Sequence, residues 1–409
     1  MTENPKTALQ DGSPVRTREM PPWPHFAKDE VTAATEVLES GEVNQWTGDD
    51  VTAFEDEFAE YIGADHAVAM ANGTVALELA YASLGLGKGD EVVVPSRTFI
   101  ATASAAHLVG ATPVVADVDP QSGNVTPETI RNQITPDTAA VAVVHIEGWP
   151  ADMPAIRELA DDQGLALVED CAQAHGAQID GREVGTFSDV AAFSFCQDKI
   201  MTTAGEGGMV VTDDEDLYRD IWEMKDHGKD YDVIFNEPMP EEYGLPHARF
   251  GTNLRLSTVQ AAVGRRQLSK LGDWLEARQR NAEILIDAFQ NVPGLRAPSP
   301  PDTDEHAFYK YSVYVEPDEL TDGWDRLRVM KAIEAEGIPC SVGECSEIYR
   351  EPAFERAGLA PDERLANAQR LQETSLQFLV HPTLDPSDMA DVVQAVDKVM
   401  QVATNRGND

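Results

Sequence analysis

Two titratable residues of this sequence stand where chemistry is expected, Lys199 and Asp170. Lys199 follows an apolar run that ends at Phe195, and it is one of 10 lysines in a chain with 21 arginines. A lysine, unlike an arginine, can lose its proton and condense with an aldehyde. Asp170 closes another apolar run, where a carboxylate is costly to bury without a cationic partner such as a protonated heterocycle. Each residue alone also has an ordinary explanation: a lysine that aids solubility, and a carboxylate that caps a turn.

A third feature is the turn Ala71-Asn72-Gly73-Thr74, which lies between an apolar run and a helical pattern. The start of a helix presents free backbone N–H groups and the positive end of the helix dipole. Such a turn can hold a phosphate group. The alternative is a plain strand-to-helix turn with Thr74 as the cap.

These features lie at the ends of elements that the sequence predicts from about residue 64 onwards. Short apolar runs alternate with helical patterns, which predicts parallel strands joined by crossover helices. Because the runs are continuous, the sheet is expected to be covered on both faces. Doubly wound sheets bind ligands beyond the carboxyl ends of their strands, where these residues lie. The predicted strands are 67–70, 91–94, 112–118, 139–145, 165–170, 190–195 and 208–212, and the predicted helices between them are 74–84, 99–109, 127–134 and 152–162.

The length of 409 residues predicts more than one domain. We expect an N-terminal arm at 1–24, a large α/β domain at 25–260 and a smaller C-terminal α+β domain at 261–409. The amphipathic segment 258–289 is predicted to be a helix, broken near Gly272, that leaves the large domain. The first part of the arm shows no periodicity and is predicted to be mobile. The smaller domain is expected to contain a strand at 309–316 and helices at 325–336 and 387–402.

The composition is strongly acidic: 31 Lys and Arg against 72 Asp and Glu give a formal net charge of −41. Phosphate backbones need a basic face, so we expect no nucleic acid partner. Hydrophobic residues at 42% and charged residues at 25% are typical of a folded chain. The acidity and the preference for Arg favour a halophilic protein, because at 1 M salt the Debye length of about 3 Å screens self-repulsion. An ordinary acidic cytosolic enzyme is the alternative.

The four cysteines, Cys171, Cys196, Cys340 and Cys345, form no zinc-binding pattern, so no metal site is predicted. Reduced thiols indicate a cytoplasmic protein. No stretch approaches the roughly 18 apolar residues of a membrane span, and residues 1–11 lack the apolar core of a signal peptide. We therefore expect no membrane partner.

The motifs around these residues resemble, in order along the chain, those of the DegT/StrS group of sugar aminotransferases. The resemblance covers residues from about 25 to 400. It implies a fold-type I enzyme that depends on pyridoxal 5′-phosphate (PLP), with a mostly parallel seven-stranded sheet in its large domain. The motifs are Asn72-Gly73-Thr74, Pro95-Ser96-Arg97-Thr98-Phe99, Glu169-Asp170-Cys171-Ala172-Gln173-Ala174-His175-Gly176, Phe193-Ser194-Phe195-Cys196-Gln197-Asp198-Lys199 and Gly205-Glu206-Gly207-Gly208, with further matches at 150–153, 226–228 and 251–255.

The resemblance assigns a role to each matching residue. Lys199 matches the lysine that binds the cofactor covalently and then serves as general base, and Asp170 matches the carboxylate that pairs with the pyridine nitrogen. The other cofactor-binding positions are Gly73, Thr74 and Ser194 around the phosphate, Phe99 stacked on the ring, Gln173 beside the phenolic oxygen, and Asn253, which reaches the phosphate from the neighbouring subunit. A homodimer with shared active sites follows from the last assignment.

The activity implied is transfer of an amino group from an amino acid, by resemblance L-glutamate, to a keto-sugar that is nucleotide-linked, as in amino-sugar biosynthesis. A cyclitol (inosose) aminotransferase remains an alternative. A PLP sugar dehydratase is disfavoured by Lys199, because the dehydratase relatives carry a histidine there. A PLP-binding regulator without turnover is disfavoured by the absence of a basic surface or a helix-turn-helix pattern.

The sequence departs from the family pattern at Cys171, at Trp149 and over residues 337–349. The last stretch replaces an aromatic and histidine-rich segment that helps shape the sugar pocket of relatives, so the acceptor stays open. His145 and His175 can line the pocket or be hydrogen-bonded core histidines, and we assign neither a catalytic role.

Overall fold

A computed structural model describes residues 6–236, 244–301, 303–343 and 345–404. The elements within these ranges alternate strands and helices along the first half of the chain. In chain order the strands are β1 (His66–Met70), β2 (Glu91–Pro95), β3 (Thr112–Ala116), β4 (Thr138–Val144), β5 (Ala166–Asp170), β6 (Gln178–Ile179), β7 (Arg182–Glu183), β8 (Val190–Ser194), β9 (Gly208–Thr212), β10 (Leu295–Arg296), β11 (Asp304–Glu305), β12 (Tyr311–Val315) and β13 (Ser375–Phe378).

The helices cover the sheet and connect the domains. They are α1 (Lys28–Ser40), α2 (Asp50–Ile62), α3 (Gly73–Ser83), α4 (Ala101–Leu108), α5 (Pro127–Arg131), α6 (Met153–Gln163), α7 (Glu215–Lys225), α8 (Tyr231–Phe235), α9 (Thr258–Leu268), α10 (Leu271–Phe289), α11 (Arg326–Ala335), α12 (Pro352–Ala357), α13 (Ala366–Thr374) and α14 (Pro386–Ala403).

The seven-stranded sheet has the order β1-β9-β8-β5-β4-β2-β3. The pairs β2–β3, β2–β4, β4–β5 and β5–β8 are parallel, whereas β9 runs antiparallel to both β1 and β8. Every one of the seven apolar runs forms a strand of this sheet, so the predicted α/β class and mostly parallel sheet are confirmed. Strands such as β8 are buried along their whole length, as continuous apolar runs require.

The large domain is built on two apolar cores. One includes Val93, Val141 and Leu167 with helices α3, α4 and α6, and the other includes Phe54 and Phe58 of α2 and Phe193 of β8. Asn72, rather than Thr74, caps α3 by accepting from the Val75 N–H, and Thr126 caps α5. These packed layers hold the carboxyl ends of the strands in place.

A third core forms the smaller C-terminal region. Helices α10, α11 and α14 pack with the sheet β10-β12-β13, and Val313, Phe378 and Val396 are buried between them. The predicted strand and two helices of this region are present. The long helix predicted over 258–289 is present and is broken near Gly272 as expected: α9 and α10 meet at Ser269 and Lys270.

The N-terminal segment differs from the predicted mobile arm. Thr7 and Arg16 are buried, and Glu336 accepts hydrogen bonds from the Ala8 and Val15 N–H groups at 2.7 and 3.0 Å. Arg16 also pairs with Asp388 at 2.8 Å. The segment has no periodic apolar face: these bonds to the C-terminal region hold it, together with Val15 and Met20, which pack against the C-terminal core. Residues 1–5 lie outside the described ranges.

The domain boundaries at 24/25 and 260/261 stay predictions. Among the described residues, the helices are too short or too polar to cross a bilayer.

Candidate active site

The residues picked out from the sequence meet at the carboxyl edge of the sheet. Asp170 ends β5 and Ser194 ends β8, and these two strands are parallel neighbours with Asp170 opposite Ala192. Met70 ends β1 beside Gly208 of β9, which brings the start of α3 to the same edge. The connection from β8 to β9 carries Lys199. Residues far apart in sequence therefore share one site.

The turn at the start of α3 is built for a group that needs close approach to the backbone. A side chain at Gly73 would lie 2.7 Å from Cβ of Ser194, and one at Gly208 would lie 2.4 Å from the Asn72 carbonyl oxygen. Asn72 uses its side chain on the Val75 N–H, so the N–H groups of Gly73 and Thr74 remain directed outward from the first turn. The 11-residue helix adds its positive dipole end. This arrangement suits a phosphate.

Asp170 is a buried carboxylate with few partners. Its Oδ2 accepts from the Thr102 hydroxyl at 2.7 Å and its Oδ1 accepts from the Ala172 N–H at 3.1 Å. Burial raises the pKa of Asp170, against the opposing effects of Thr102, Ala172 and the charge of Lys199. A cation on the ligand side would restore the ionised form, as the pyridinium nitrogen of PLP would.

Lys199 is half-buried, and residues from two other regions contact it. The Trp23 indole N–H donates to the Lys199 carbonyl oxygen at 2.9 Å. The Lys199 Nζ atom lies 4.8 Å from the centre of the Tyr309 ring. The Tyr309 hydroxyl in turn donates to Asp198. The sequence predicted Lys199 but neither Trp23 nor Tyr309, because both come from distant parts of the chain.

Gln173 follows β5 and is held in one orientation. Its Oε1 accepts from the Glu147 N–H at 2.7 Å, and its Nε2 donates to Sγ of Cys345 at 3.4 Å. Glu147 has a positive φ of 57°, and its carboxylate accepts from Ser312 and Gln377 of β12 and β13. Glu147 thus joins the C-terminal region to Gln173, a role that sequence reasoning missed. The unusual φ has no sequence signal at a glutamate.

Phe99 and Thr102 flank the site from the β2 side. Phe99 precedes α4 and is 59% exposed, an unusual setting for a phenylalanine. Thr102, three residues later, bonds to Asp170 and also to the Phe99 carbonyl oxygen, so the Phe99 backbone is tied to the edge that carries the buried carboxylate. An exposed aromatic ring at this edge suits stacking on a planar heterocycle.

Asn253 is exposed and lies apart from the buried cluster. It pairs with Asp226 in an isolated bridge, and the neighbouring Leu254 carbonyl accepts from the Ala71 N–H at 2.8 Å. Phe250, three residues earlier, is fully exposed. One chain therefore brings Asn253 to the surface without a partner for its side-chain nitrogen among the described contacts.

His145 is a hydrogen-bonded core histidine, one of the two alternatives left open above. Its Nδ1 accepts from the Ala151 N–H at 3.0 Å, and its Nε2 lies 3.1 Å from Glu169. These atoms and Cys171 lie within 4.8 Å of one another, but Glu169 also accepts from the backbone of Gly185 and Phe187. Hydrogen bonds thus account for this group without a metal.

His175 is also in the core. It packs against Phe193 and Phe195, with ring centres 5.5 and 5.6 Å away. Burial, with the charges of Lys199 and Arg278, lowers the pKa of His175 to about 3. A neutral imidazole is therefore expected below the sheet edge.

The site fits PLP on this geometry: a backbone cradle at Gly73, a buried carboxylate with an elevated pKa, a lysine on the adjacent loop and an exposed aromatic ring. Comparison with known proteins decides the family. The DegT/DnrJ/EryC1/StrS aminotransferase family matches residues 24–397.

The chain belongs to this family.

Three relatives are named for the amination of sugars and related rings. A 2-deoxy-scyllo-inosose aminotransferase of Streptoalloteichus tenebrarius, named with L-glutamine as donor, is 36% identical over 96% of this chain and 97% of that protein. The dTDP-3-amino-3,4,6-trideoxy-alpha-D-glucose transaminase of Streptomyces venezuelae is 37% identical over 89% of this chain and 90% of that protein. An Acidithiobacillus ferrooxidans UDP-N-acetyl-3-dehydro-alpha-D-glucosamine 3-aminotransferase is 35% identical over 92% and 96%.

Solved structures agree on the fold. An aminotransferase from Psychrobacter cryohalolentis has a TM-score of 0.90 at 46% identity, and the match covers 92% of this chain and 98% of that chain. DesV of S. venezuelae, solved with a ketimine intermediate, has a TM-score of 0.81 at 34% identity over 91% and 94%. The chain is therefore a PLP-dependent aminotransferase with the fold expected of this family, and the predicted family, fold, enzyme class and cofactor are confirmed.

Proposed function

We propose that this aminotransferase moves an amino group from an amino acid to a nucleotide-linked keto-sugar in amino-sugar biosynthesis. Relatives named for dTDP- and UDP-linked sugars support the acceptor class. The observation that carries the proposal within this chain is the shared position of Lys199, Asp170 and the Gly73 cradle at one sheet edge.

The proposed roles of the cofactor-binding residues follow from their chemistry. When bound, PLP supplies an aldehyde that takes up the amino group and a ring that spreads the negative charge of the reacting carbon. Gly73, Thr74 and Ser194 hold the phosphate with N–H and hydroxyl groups. Phe99 supports the ring, and Gln173 orients it through the phenolic oxygen.

Lys199 and Asp170 are the proposed catalytic pair. The Nζ of Lys199 would hold the cofactor between turnovers, and once free it would take a proton from the substrate carbon and deliver it to the cofactor carbon that carries the amino nitrogen. Asp170, ionised against the ring nitrogen, keeps a proton on that nitrogen. The low number of polar partners at Asp170 makes its charge available to the ring rather than to the protein.

We further propose a homodimer in which Asn253 of each chain completes the partner's phosphate site. Asn253 and the nearby Phe250 are both exposed in one chain, which supports the burial of this surface against a partner subunit. The four cysteines are free thiols, which supports a cytoplasmic setting. The net charge of −41 supports adaptation to concentrated salt. Mass measurement in solution, comparing wild type with Phe250→Asp, tests the dimer, which the charged variant should split.

A second acceptor class is an inosose. Three relatives between 34% and 36% identical are named L-glutamine:2-deoxy-scyllo-inosose aminotransferases, which favours this candidate specifically. It also raises L-glutamine as an alternative to L-glutamate.

A two-way screen separates these candidates. Purified enzyme is incubated with nucleotide-linked 3-keto and 4-keto sugars and with inososes, each with L-glutamate and with L-glutamine, and aminated products are detected by mass spectrometry. The proposal expects amination of a nucleotide-linked sugar. Amination of inososes alone would contradict this proposal and support the inosose candidate. The same incubations show which amino donor the enzyme prefers.

A further inference from the structure

The N-terminal segment reaches the proposed catalytic loop through one side chain. The Trp23 indole N–H donates to the Lys199 carbonyl oxygen at 2.9 Å, across 176 residues of sequence. Lys199 lies in the irregular connection between β8 and β9, where no strand partner takes up its carbonyl. Trp23 therefore supplies a hydrogen-bond donor to this carbonyl from outside the loop.

Trp23 is itself held on three sides. The edge of Trp274 meets its ring at 5.1 Å and 90°, and His381 stacks on it at 6.0 Å and 19°. The Arg278 guanidinium lies 5.2 Å from the ring centre. Aromatic and cation–π contacts of this kind constrain both position and tilt. The indole N–H therefore has a set direction.

Arg278 connects this aromatic cluster to the other face of Lys199. It is 1% exposed, and its Nη1 donates to the carbonyl oxygens of Phe308 and Tyr309, each at 3.1 Å. Burial lowers the pKa of Arg278 to about 9. Arg278 thus holds the backbone of Tyr309, and the Tyr309 ring lies 4.8 Å from the Lys199 Nζ atom. One buried cation thus supports the residues that contact Lys199 at its carbonyl and at its amine.

Close packing alone does not fix Trp23. A cavity of about 680 Å³ borders it, lined by the N-terminal segment and the C-terminal region, among them Pro22, Ile338 and Leu379. A side chain beside so large a cavity keeps its place through directional contacts rather than through complete enclosure. The hydrogen bond to Lys199 and the contacts with Arg278, Trp274 and His381 supply that direction.

We propose that Trp23 is a positioning residue for Lys199, with Arg278 as its support. The hydrogen bond to the Lys199 carbonyl sets the backbone of the loop, and the backbone sets where the amine can reach. The inference rests on the proposed catalytic role of Lys199. It explains why the N-terminal segment is fastened to the C-terminal region by Arg16 and Glu336 rather than left free.

The test compares Trp23→Phe with Trp324→Phe in the full-length protein. Trp23→Phe keeps an aromatic ring and removes the N–H donor. Trp324 is a matched control, because it too is partly buried and lies 4.7 Å from an arginine, Arg328, but far along the chain from Lys199. Hydrogen–deuterium exchange of the amides at 195–203 is measured with and without PLP, followed by the pH dependence of the visible absorbance.

Trp23→Phe is expected to speed exchange in this loop by about tenfold, since a single hydrogen bond is lost. It should shift the pH midpoint of the visible band and lower the rate of the donor half-reaction by a similar factor while changing the donor KM little. Trp324→Phe should match wild type in each measurement. Identical exchange and pH midpoint in the two variants would overturn the proposal.

A second variant covers the case in which Trp23→Phe does not fold. Arg278→Lys keeps the charge but removes the planar group next to Trp23 and Tyr309. It should also increase the rate of hydrogen–deuterium exchange of the amides at 195–203, and an unchanged rate would count against the proposal. Exchange without PLP tests positioning even if Lys199 proves not to bind the cofactor, so the two failures can be told apart.

Discussion

The last two residues of β5 give two neighbouring carboxylates opposite surroundings. Glu169 and Asp170 are both buried, and successive side chains of a strand point to opposite faces of the sheet. Glu169 accepts from His145 and from the Gly185 and Phe187 N–H groups, whereas Asp170 accepts from Thr102 and Ala172. Burial raises the pKa of each, but at Glu169 the hydrogen bonds outweigh burial and the pKa is lowered, while at Asp170 it is raised.

The difference separates a structural carboxylate from a functional one. Glu169 is satisfied by the protein itself and joins β4, β5 and the loop before β8. Asp170 is left short of partners at the edge where a ligand would bind. Burial of a charge without full compensation is costly, so the cost at Asp170 is consistent with a cationic ligand that supplies the rest.

Asp170→Asn should separate the two roles most strongly. The amide keeps the size of the side chain but cannot hold a proton on the ring nitrogen through its charge. We expect turnover to fall by about 10³-fold, the scale of a lost electrostatic contact in a water-excluded site. Unfolding of the cofactor-free protein should be unchanged or slightly harder, because a poorly compensated carboxylate is removed.

Steady-state kinetics and thermal unfolding measure both quantities. Asp162→Asn on the exposed end of α6 is the matched control and should change neither. Equal turnover of Asp170→Asn and Asp162→Asn would remove Asp170 from the catalytic pair. A large loss of stability in Asp170→Asn would instead indicate that Asp170, like Glu169, has a structural role.

Glu169→Gln should give the opposite profile. Glutamine replaces one carboxylate oxygen with an NH2 group that cannot accept a hydrogen bond, so a buried donor loses its partner and the free energy of unfolding should fall by about 2 kcal/mol at pH 7. Because the folded pKa of Glu169 lies below its ordinary value of 4.5, the wild-type advantage is present above that pH and is lost as the pH falls through the folded pKa. Urea unfolding between pH 3 and 7 checks this, with exposed Glu158→Gln as control.

A rise in salt concentration should change the energetics of the buried carboxylates Glu169 and Asp170 least, and those of the exposed acidic residues more. Buried charges are screened less than exposed ones, and the net charge of −41 is carried mainly by exposed acids. We expect the KM for the phosphate-bearing acceptor to stay level or fall as KCl rises to molar levels. A steep loss of activity and fold in molar KCl would indicate another cause of the acidity.

The sheet and the central site residues were predictable because their signals are local. Seven continuous apolar runs predicted the seven strands. Asp170 and Ser194 are the last residues of β5 and β8, and Lys199 follows β8. Gly73 was found from its turn, and the structure adds that a Cβ there would lie 2.7 Å from Cβ of Ser194. Residue type and position along a strand were sufficient for these.

The contacts around the site were not predictable because they join distant segments. Trp23 meets Lys199 across 176 residues, and Glu147 reaches β13 across 230. The arm was predicted to be mobile because it has no periodic apolar face, yet Glu336 holds it by bonds to backbone N–H groups, which leave no pattern in side-chain type. Thr102 bonds to Asp170 across 68 residues for the same reason.

Chemical trapping of the cofactor shows whether Lys199 is the residue that binds it. Wild type, Lys199→Ala and the exposed control Lys331→Ala are loaded with PLP, reduced with borohydride and digested, and the modified peptide is identified by mass spectrometry. Wild type and Lys331→Ala should show a visible band and a modified Lys199 peptide, and Lys199→Ala should show neither. An unchanged band in Lys199→Ala, or modification at another lysine in wild type, would contradict this prediction.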